Sequence, residues 1–411
     1  MTTHTPSPRL EKLAYLLAFG ASAAVFVSGA VSNILIALAL AALLLSGARL
    51  RFPPIGLPLG LFVLGTVLSL AVSADPWGGR VQIRKFYLFL ILLLVSSTFR
   101  SLGQVRRLFL AMGALAALSA LRALFQFNSM LKLCGGSYGC MVGERISGFM
   151  SHWMTFGGQM TVALLLLGSY VFFAGPPKRK LWVWILAAGL IAAAIFAGGT
   201  RSVWLATAIS GAYLLWSWRR LSVLVLPVVV AVAFLAAPRF LQQRLTSAWK
   251  PQGELDSNEH RRVSWRTGLR MIQAHPLLGL GPEQVKAQFR RWVPDDVKQL
   301  PEGWYGHLHN IYLHYAAERG IPTLLALLWM LGRMLSDFFR ALGRLPSGPD
   351  DARFILHAAI ATILAILVQG LFEHNLGDSE VLSLFLSVTS CAYVAVRSLE
   401  NKQHVEHATQ P

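Results

Sequence analysis

The sequence predicts an all-α polytopic membrane protein with about twelve transmembrane helices and one large loop between helices nine and ten. Three observations lead there. The 411 residues are 55% hydrophobic and only 14% charged, with a mean hydropathy of +0.54, whereas soluble domains carry about 25% charged residues. Apolar stretches near the roughly 20 residues that a membrane helix needs fill most of the chain. The Lys and Arg of the short loops fall almost entirely on one side.

Taken in order, the apolar stretches are 13–30, 31–47, 55–73, 84–98, 105–127, 153–174, 181–199, 202–217, 221–238, 321–341, 353–373 and 379–397. The first two meet at Ser28-Gly29, which predicts a tight helical hairpin. The first follows a short basic tail (Arg9, Lys12) without a small-residue cleavage pattern, so it reads as a retained anchor rather than a signal peptide. One set of loops contains Arg49/Arg51, Arg100/Arg106/Arg107, Lys178/Arg179/Lys180, Arg219/Arg220 and Arg333/Arg340/Arg344/Arg353. The positive-inside rule makes that side cytoplasmic and, with an even number of spans, puts both termini there. Three regions follow: transmembrane helices one to nine (1–238), a non-cytoplasmic helical loop (239–320), and helices ten to twelve with a short tail (321–411).

The net charge of +18 does not indicate nucleic acid. Much of it is spread over short loops, and no contiguous basic–aromatic domain is present. Basic residues on the external side need another reason. They are Arg80, Arg84, Lys85, Lys132, Arg145 and Arg201, and residues 239–308 add eleven basic against seven acidic residues. An anionic ligand such as a phosphate group is one explanation and contact with lipid headgroups is the other. Cys391 reads as a small core residue. Cys134 and Cys140 flank Gly-Gly-Ser-Tyr-Gly in an external loop, as a disulfide in an oxidising compartment or as two free thiols. C-x5-C with no second ligand pair is a poor zinc signal.

Residues 239–308 are too few for an independent large core and predict short helices lying on the membrane domain. One covers 258–274. Its spacing puts Arg261, Trp265, Leu269 and Ile272 on an inward face and Arg262, Arg266 and Arg270 on an outward one. An inward guanidinium is a functional candidate, or it pairs with a nearby carboxylate. Pro276-Leu277-Leu278-Gly279-Leu280-Gly281-Pro282 then turns the chain, with a second helix near 282–293. The Gly-x-Gly there lacks the third glycine and the preceding strand of a dinucleotide site.

The loop ends in Gly306-His307-Leu308-His309-Asn310. A metal site is not the expectation. On a continuous helix His307 and His314 nearly superpose while His309 points about 140–160° away, and no His-Glu-x-x-His is present. A single histidine as general base fits better, because imidazole titrates near neutrality and can take a proton from a hydroxyl. A capping or hydrogen-bonding histidine is the alternative. Asp75, Glu144, Glu373 and Asp378 show no diagnostic carboxylate spacing. Arginines can instead neutralise a phosphate leaving group.

His309-Asn310, nine residues, Gly320, two residues and Thr323 resemble the signature of bacterial O-antigen ligases and their relatives. Arg261-x-x-x-Trp265 followed by His275 to Gly281, and Thr200-Arg201-Ser202, are similar to further elements of that superfamily. The resemblance implies a metal-independent, cofactor-free glycosyltransferase with a C-type, all-helical membrane fold in the bacterial inner membrane. It would work at the periplasmic face as a monomer among membrane lipids. It would move polysaccharide from undecaprenyl pyrophosphate to a sugar of the lipid A core with inversion. Carried over residue by residue, His309 is the base, Arg201 and Arg261 bind the pyrophosphate, and Arg80, Arg84 and Lys85 assist. O-antigen polymerases and protein O-oligosaccharyltransferases share this chemistry. The single dominant loop and the short tail favour the ligase. A transporter or flippase is the alternative from a different class, disfavoured by the absence of internal repeats.

Overall fold

The computed structural model describes residues 7–247, 257–301 and 303–408. Among them there are helices, turns and loops and no strands. A helix lies on each of the twelve predicted stretches: α1 (Pro8–Ala24), α2 (Gly29–Leu45), α3 (Gly56–Ala71), α4 (Pro76–Arg84) running through a 3-10 turn into α5 (Leu90–Thr98), α6 (Leu102–Cys134), α8 (Trp153–Phe173), α9 (Lys178–Ala197), α10 (Arg201–Trp218), α11 (Val225–Ala236), α15 (Ile311–Gly343), α16 (Asp351–Gly370) and α17 (Ser379–Ala408). Seven are long and apolar enough to cross a membrane: Pro76–Thr98, Leu102–Cys134, Trp153–Phe173, Lys178–Ala197, Ile311–Gly343, Asp351–Gly370 and Ser379–Asn401. Gly29–Leu45, Gly56–Ala71 and Arg220–Ala236 are shorter apolar helices. This is a polytopic membrane architecture.

Local chemistry sets the ends of these helices. Ser28 caps α2, its side chain accepting from the Val31 amide, and turns α1 back onto α2 as the hairpin the sequence predicts. Ser101 and Gln104 form a capping box at the start of α6, and Asp350 caps α16. Each replaces partners that the first-turn amides lack. The helices α8, α16 and α17 are the most buried spans and occupy the middle of the bundle. The residues facing lipid, such as Leu57, Leu64, Val228 and Trp182, are apolar and exposed.

The large loop lies on one end of this bundle as α12 (Arg239–Thr246), α13 (Ser257–Ala274) and α14 (Gln284–Gln288) with a following 3-10 turn, Phe289–Trp292. Its small core of Met271, Leu280, Val285, Phe289 and Leu308 includes Ala317 of α15. So the loop is a satellite of the membrane domain. A short helix, α7 (Tyr138–Gly143), sits beside it. Cys134 and Cys140 are disulfide-bonded and pack on Phe240 and Leu241 of α12.

One seam explains the Pro-Leu-Leu-Gly-Leu-Gly motif. The helix α15 is broken at Gly320, whose φ is 81°, and Pro322 has no amide to give to the Glu318 carbonyl. The loop repairs the break. Leu280 N donates to Ala317 O and Gly281 N to Glu318 O, both at 2.9 Å, and Ile321 N donates to Pro276 O at 2.8 Å. A Cβ on Gly279 would lie 2.3 Å from the Glu318 carbonyl carbon, and one on Gly320 1.9 Å from the Leu277 carbonyl oxygen. Both positions need glycine for approach as well as for positive φ. The expected 320/321 region boundary therefore falls inside α15, at its kink.

Candidate active site

The bundle end under the loop holds an open cavity of about 1060 Å³. Its wall draws on the α6–α8 connection, α13, the run 303–314 and the α16–α17 connection, together with Gln82, Lys85, Arg244, Glu283 and Lys286. His309 is on this wall. The chain reaches it through a left-handed residue, with His309 itself at φ 47°, a strained conformation for a residue with a Cβ. The Asn310 side chain then caps α15, accepting from the Leu313 amide at 2.9 Å and donating to the Leu371 carbonyl at 3.0 Å. The His-Asn pair is thus a hinge pinned on both sides, and it fixes where the imidazole points.

The imidazole points at Glu373, which sequence spacing did not single out. The His309 Nδ1 lies 3.5 Å from Glu373 Oε2, and Nε2 lies 3.4 Å from the Trp304 carbonyl. Glu373 is 2% exposed. Arg261 Nη2 donates to its Oε1 at 2.8 Å, and the Ser202 hydroxyl donates to the same oxygen at 3.4 Å. Burial pushes this carboxyl up, but the hydrogen bond from His309 and the Arg261 charge outweigh it and hold it below the usual carboxylate range. A carboxylate beside Nδ1 favours the tautomer protonated there. Of the two readings of Arg261, the geometry shows pairing with a carboxylate. Its fork also reaches the Phe372 carbonyl at 3.4 Å.

The helix α13 is rotated from the expected face. Val263, Ser264, Thr267, Gly268 and Met271 are buried, Arg261 and Trp265 lie at the edge, and Leu269 is 48% exposed. A small-residue stripe lets α13 approach Leu308, which a Cβ on Gly268 would meet at 2.5 Å. The loop hugs the bundle through small side chains, which an apolar-periodicity reading passes over. The outward arginines pair at the surface, Arg266 with Asp296 and Arg270 with Asp295.

The other sequence candidates separate. Arg201, at the first turn of α10, donates to Asn258 Oδ1 at 2.8 Å and lies 3.5 Å from the Ser247 hydroxyl. Lys85 lines the cavity and donates to the Gly377 carbonyl at 2.8 Å. Arg80 and Arg84 are exposed, and Arg80 stacks on Trp77. Neither is among the residues lining the cavity, because α4 turns their side of the helix away from it.

Two more arginines stand on the wall, Arg145 and Arg244. Burial and the neighbouring Arg244 charge push Arg145 down to about 9, so the guanidinium stays charged at neutral pH. Arg244 is 6% exposed and donates to the Gly199 carbonyl and the Tyr138 hydroxyl. Burial pushes that phenol up, but hydrogen bonds from Arg244 and Ser247 and the charges of Arg244 and Arg201 hold it lower. In the sequence Arg145 stood only among the external basic residues that an anionic ligand or lipid headgroups would explain. Arg244 carried no signal, since only folding brings α12 against the disulfide loop.

Histidines crowd the same wall. The His309 ring lies 4.2 Å from that of His307 and 4.9 Å from that of His260, and the His314 and His374 rings are 4.0 Å apart. Burial, then the neighbouring His309 and Arg261, push His260 down to about 4. Burial likewise drives His307 and His374 well below the imidazole range. These rings stay neutral at physiological pH. Among the described residues no group of three or more His, Cys, Asp or Glu is arranged to hold a metal ion.

The family model described as O-antigen ligase matches residues 185–328. Over that segment the match supports a member of the O-antigen ligase/polymerase superfamily. The matched segment contains Arg201, Arg261 and His309, and it ends before Glu373. It supports ligase- or polymerase-type glycan transfer. No curated protein matches the chain significantly.

Proposed function

We propose that this protein is an O-antigen ligase. In this reading it transfers polysaccharide from undecaprenyl pyrophosphate to a hydroxyl of a lipid A core sugar, at the periplasmic face of the inner membrane. The observation that carries it is a cavity lined by His309 and Glu373, with Arg261 paired to Glu373 from behind, whose wall also holds Arg145, Arg244 and Lys85. The acceptor hydroxyl would give its proton to His309 Nε2, displacing the long contact to the Trp304 carbonyl. The imidazolium that forms faces Glu373. The deprotonated oxygen attacks the anomeric carbon from the side opposite the leaving group, so configuration inverts. The bond to the pyrophosphate oxygen breaks, and its negative charge is met by guanidinium groups.

In this reading Arg145 and Arg244, on the wall, are better placed for the leaving pyrophosphate than Arg261, which is engaged by Glu373. Arg201 supports the same corner from behind. Lys85 serves the opposite wall, and Arg80 and Arg84 have no direct part. The pyrophosphate already activates the sugar, so no nucleotide or cofactor enters the step. A cavity of about 1060 Å³ is at the upper end of small-molecule sites and suits two large substrates meeting at one point.

The experiment is complementation of a ligase-deficient Gram-negative host that makes a matching lipid-linked glycan and core. Wild type should restore a ladder of O-antigen on lipid A core, and the His309→Ala chain should not. Wild type that is well expressed yet gives no ladder would turn the assignment to the polymerase or protein-glycosylating relatives.

A further inference from the structure

At the end of the bundle opposite the cavity lies a second, smaller pocket of about 400 Å³. Among the described residues its wall carries Arg333, Arg340, Arg344 and Arg397 against Asp337 and Glu400. Four positive and two negative groups leave a formal excess of two positive charges. Two helix stripes face each other there. On α15, positions 333, 337, 340 and 344 share one side at spacings of four, three and four. On α17, Tyr393, Arg397 and Glu400 do so at four and three. Phe52-Pro53-Pro54 and Ser96 close the groove.

The internal pairing leaves donors unused. Asp337 accepts from Arg333 Nε at 3.0 Å and from the Tyr393 hydroxyl at 3.0 Å, and Arg340 Nη2 is 3.5 Å away. Arg397 donates to the Ser96 and Phe99 carbonyls at 2.8 and 3.0 Å, which holds it in place. Among the described residues the Arg344 guanidinium makes no hydrogen bond or ion pair, and Arg333 uses only its Nε. Scattered loop arginines obey a charge rule with membrane-wide reach. Here they converge on one concave pocket.

The surroundings tell which anion suits it. Trp329 and Leu325 lie one and two turns along α15 toward the middle of the membrane from Arg333, and they are 47% and 57% exposed. Phe52 at the mouth is 45% exposed. A phosphate seated among the arginines would have an apolar surface beside it for attached acyl chains. Basic pockets between transmembrane helices on the cytoplasmic side bind anionic headgroups in this way.

We infer that this pocket binds the phosphate headgroup of an anionic phospholipid from the leaflet facing the basic loops, which the positive-inside rule makes the cytoplasmic one. The site is separate from the glycan-transfer cavity and does not depend on its assignment.

The test is binding of fluorescent phosphatidylglycerol to the full-length protein in zwitterionic detergent, with phosphatidylcholine and inorganic phosphate as comparison probes. Arg344→Gln breaks no side-chain hydrogen bond among the described residues, so folding should be unaffected. At roughly fivefold per arginine, it should weaken phosphatidylglycerol binding about fivefold, and Arg340→Gln with Arg344→Gln about twenty-fivefold. Arg219→Gln with Arg220→Gln, on the same basic face but outside the pocket, should change nothing. Phosphatidylcholine should not saturate, and inorganic phosphate should compete only weakly. Unchanged binding in the pocket variants overturns the site. An equal loss in the Arg219/Arg220 pair assigns binding to diffuse surface charge and overturns it too. Displacement by inorganic phosphate at concentrations equal to the lipid overturns the lipid assignment.

Discussion

Both ends of the bundle build around a buried carboxylate, and they assemble it in opposite ways. At the far end Asp337 takes two of its three partners, Arg333 and Arg340, from its own helix, at spacings of four and three. At the cavity end Glu373 takes Ser202 from α10, Arg261 from α13 and His309 from the loop before α15. Those partners are 171, 112 and 64 residues away in the chain. One centre comes from helical periodicity. The other exists only after four separate segments have docked. A local carboxylate steadies one helix, whereas a non-local one makes the position of the histidine depend on the whole fold.

The most damaging way to break this contrast is to neutralise each carboxylate. Glu373→Gln should lower kcat about a hundredfold, because the imidazole loses the partner that orients it and faces its charge. It should also cost stability, since the half-buried Arg261 loses its counter-charge. Arg261→Gln should destabilise by a similar amount and lower kcat less, if its part is to hold Glu373. Kinetics and thermal unfolding of the two variants separate these effects. Asp337→Asn should cost stability and leave transfer intact. A Glu373→Gln enzyme with normal kcat and an unchanged pH–rate profile would make Glu373 a structural group alone.

The cationic wall offers a second test. Arg145→Gln should raise KM for the lipid-linked donor about tenfold with a smaller change in kcat, and the effect should shrink at high salt. Arg80→Gln and Arg84→Gln should leave KM unchanged. A loss in those two equal to that in Arg145→Gln would put the pyrophosphate nearer α4.

Acid should open the cavity end first. His260 is held near 4 in the fold against about 6.5 in the unfolded chain, so the unfolded chain binds the extra proton as pH falls through that window. The stability from keeping His260 neutral is therefore complete above about 6.5 and lost progressively down to about 4. Glu373, held low, works in the same direction through the carboxylate range. Thermal unfolding against pH should fall between 6.5 and 4, and His260→Gln should flatten that limb. An unfolding temperature constant over this range would contradict the burial of a neutral His260. Smaller still, Cys134→Ser with Cys140→Ser opens a short loop and should cost about 2 kcal/mol, measured as easier proteolysis of the α6–α8 connection.

This contrast also marks how much was legible beforehand. Hydropathy placed a helix on every stretch because membrane burial demands length and apolarity in the chain itself. His309 stood out because its neighbours in sequence are its neighbours in space. Asn310 caps the helix that His309 precedes, and Gly320 breaks that helix where the loop rejoins it. Glu373 did not, since nothing around Phe372-Glu373-His374 reveals which distant arginine will approach. Arg244 and His260 stayed hidden for the same reason. Leu269 was misplaced because α13 packs through Ser264, Thr267 and Gly268, where closeness of approach rather than apolarity decides the face.

In the proposed reaction His309, fixed by Glu373, removes the proton from an acceptor hydroxyl. The most direct measurement is single-turnover transfer by purified protein, with a defined polyprenyl-pyrophosphate glycan and lipid A core and without nucleotide. Wild type should form the covalent product with inverted anomeric configuration. A folded His309→Ala protein should be slower by about a hundredfold to ten-thousandfold with donor binding retained. Transfer by His309→Ala at near wild-type rate would mean that His309 is not the base.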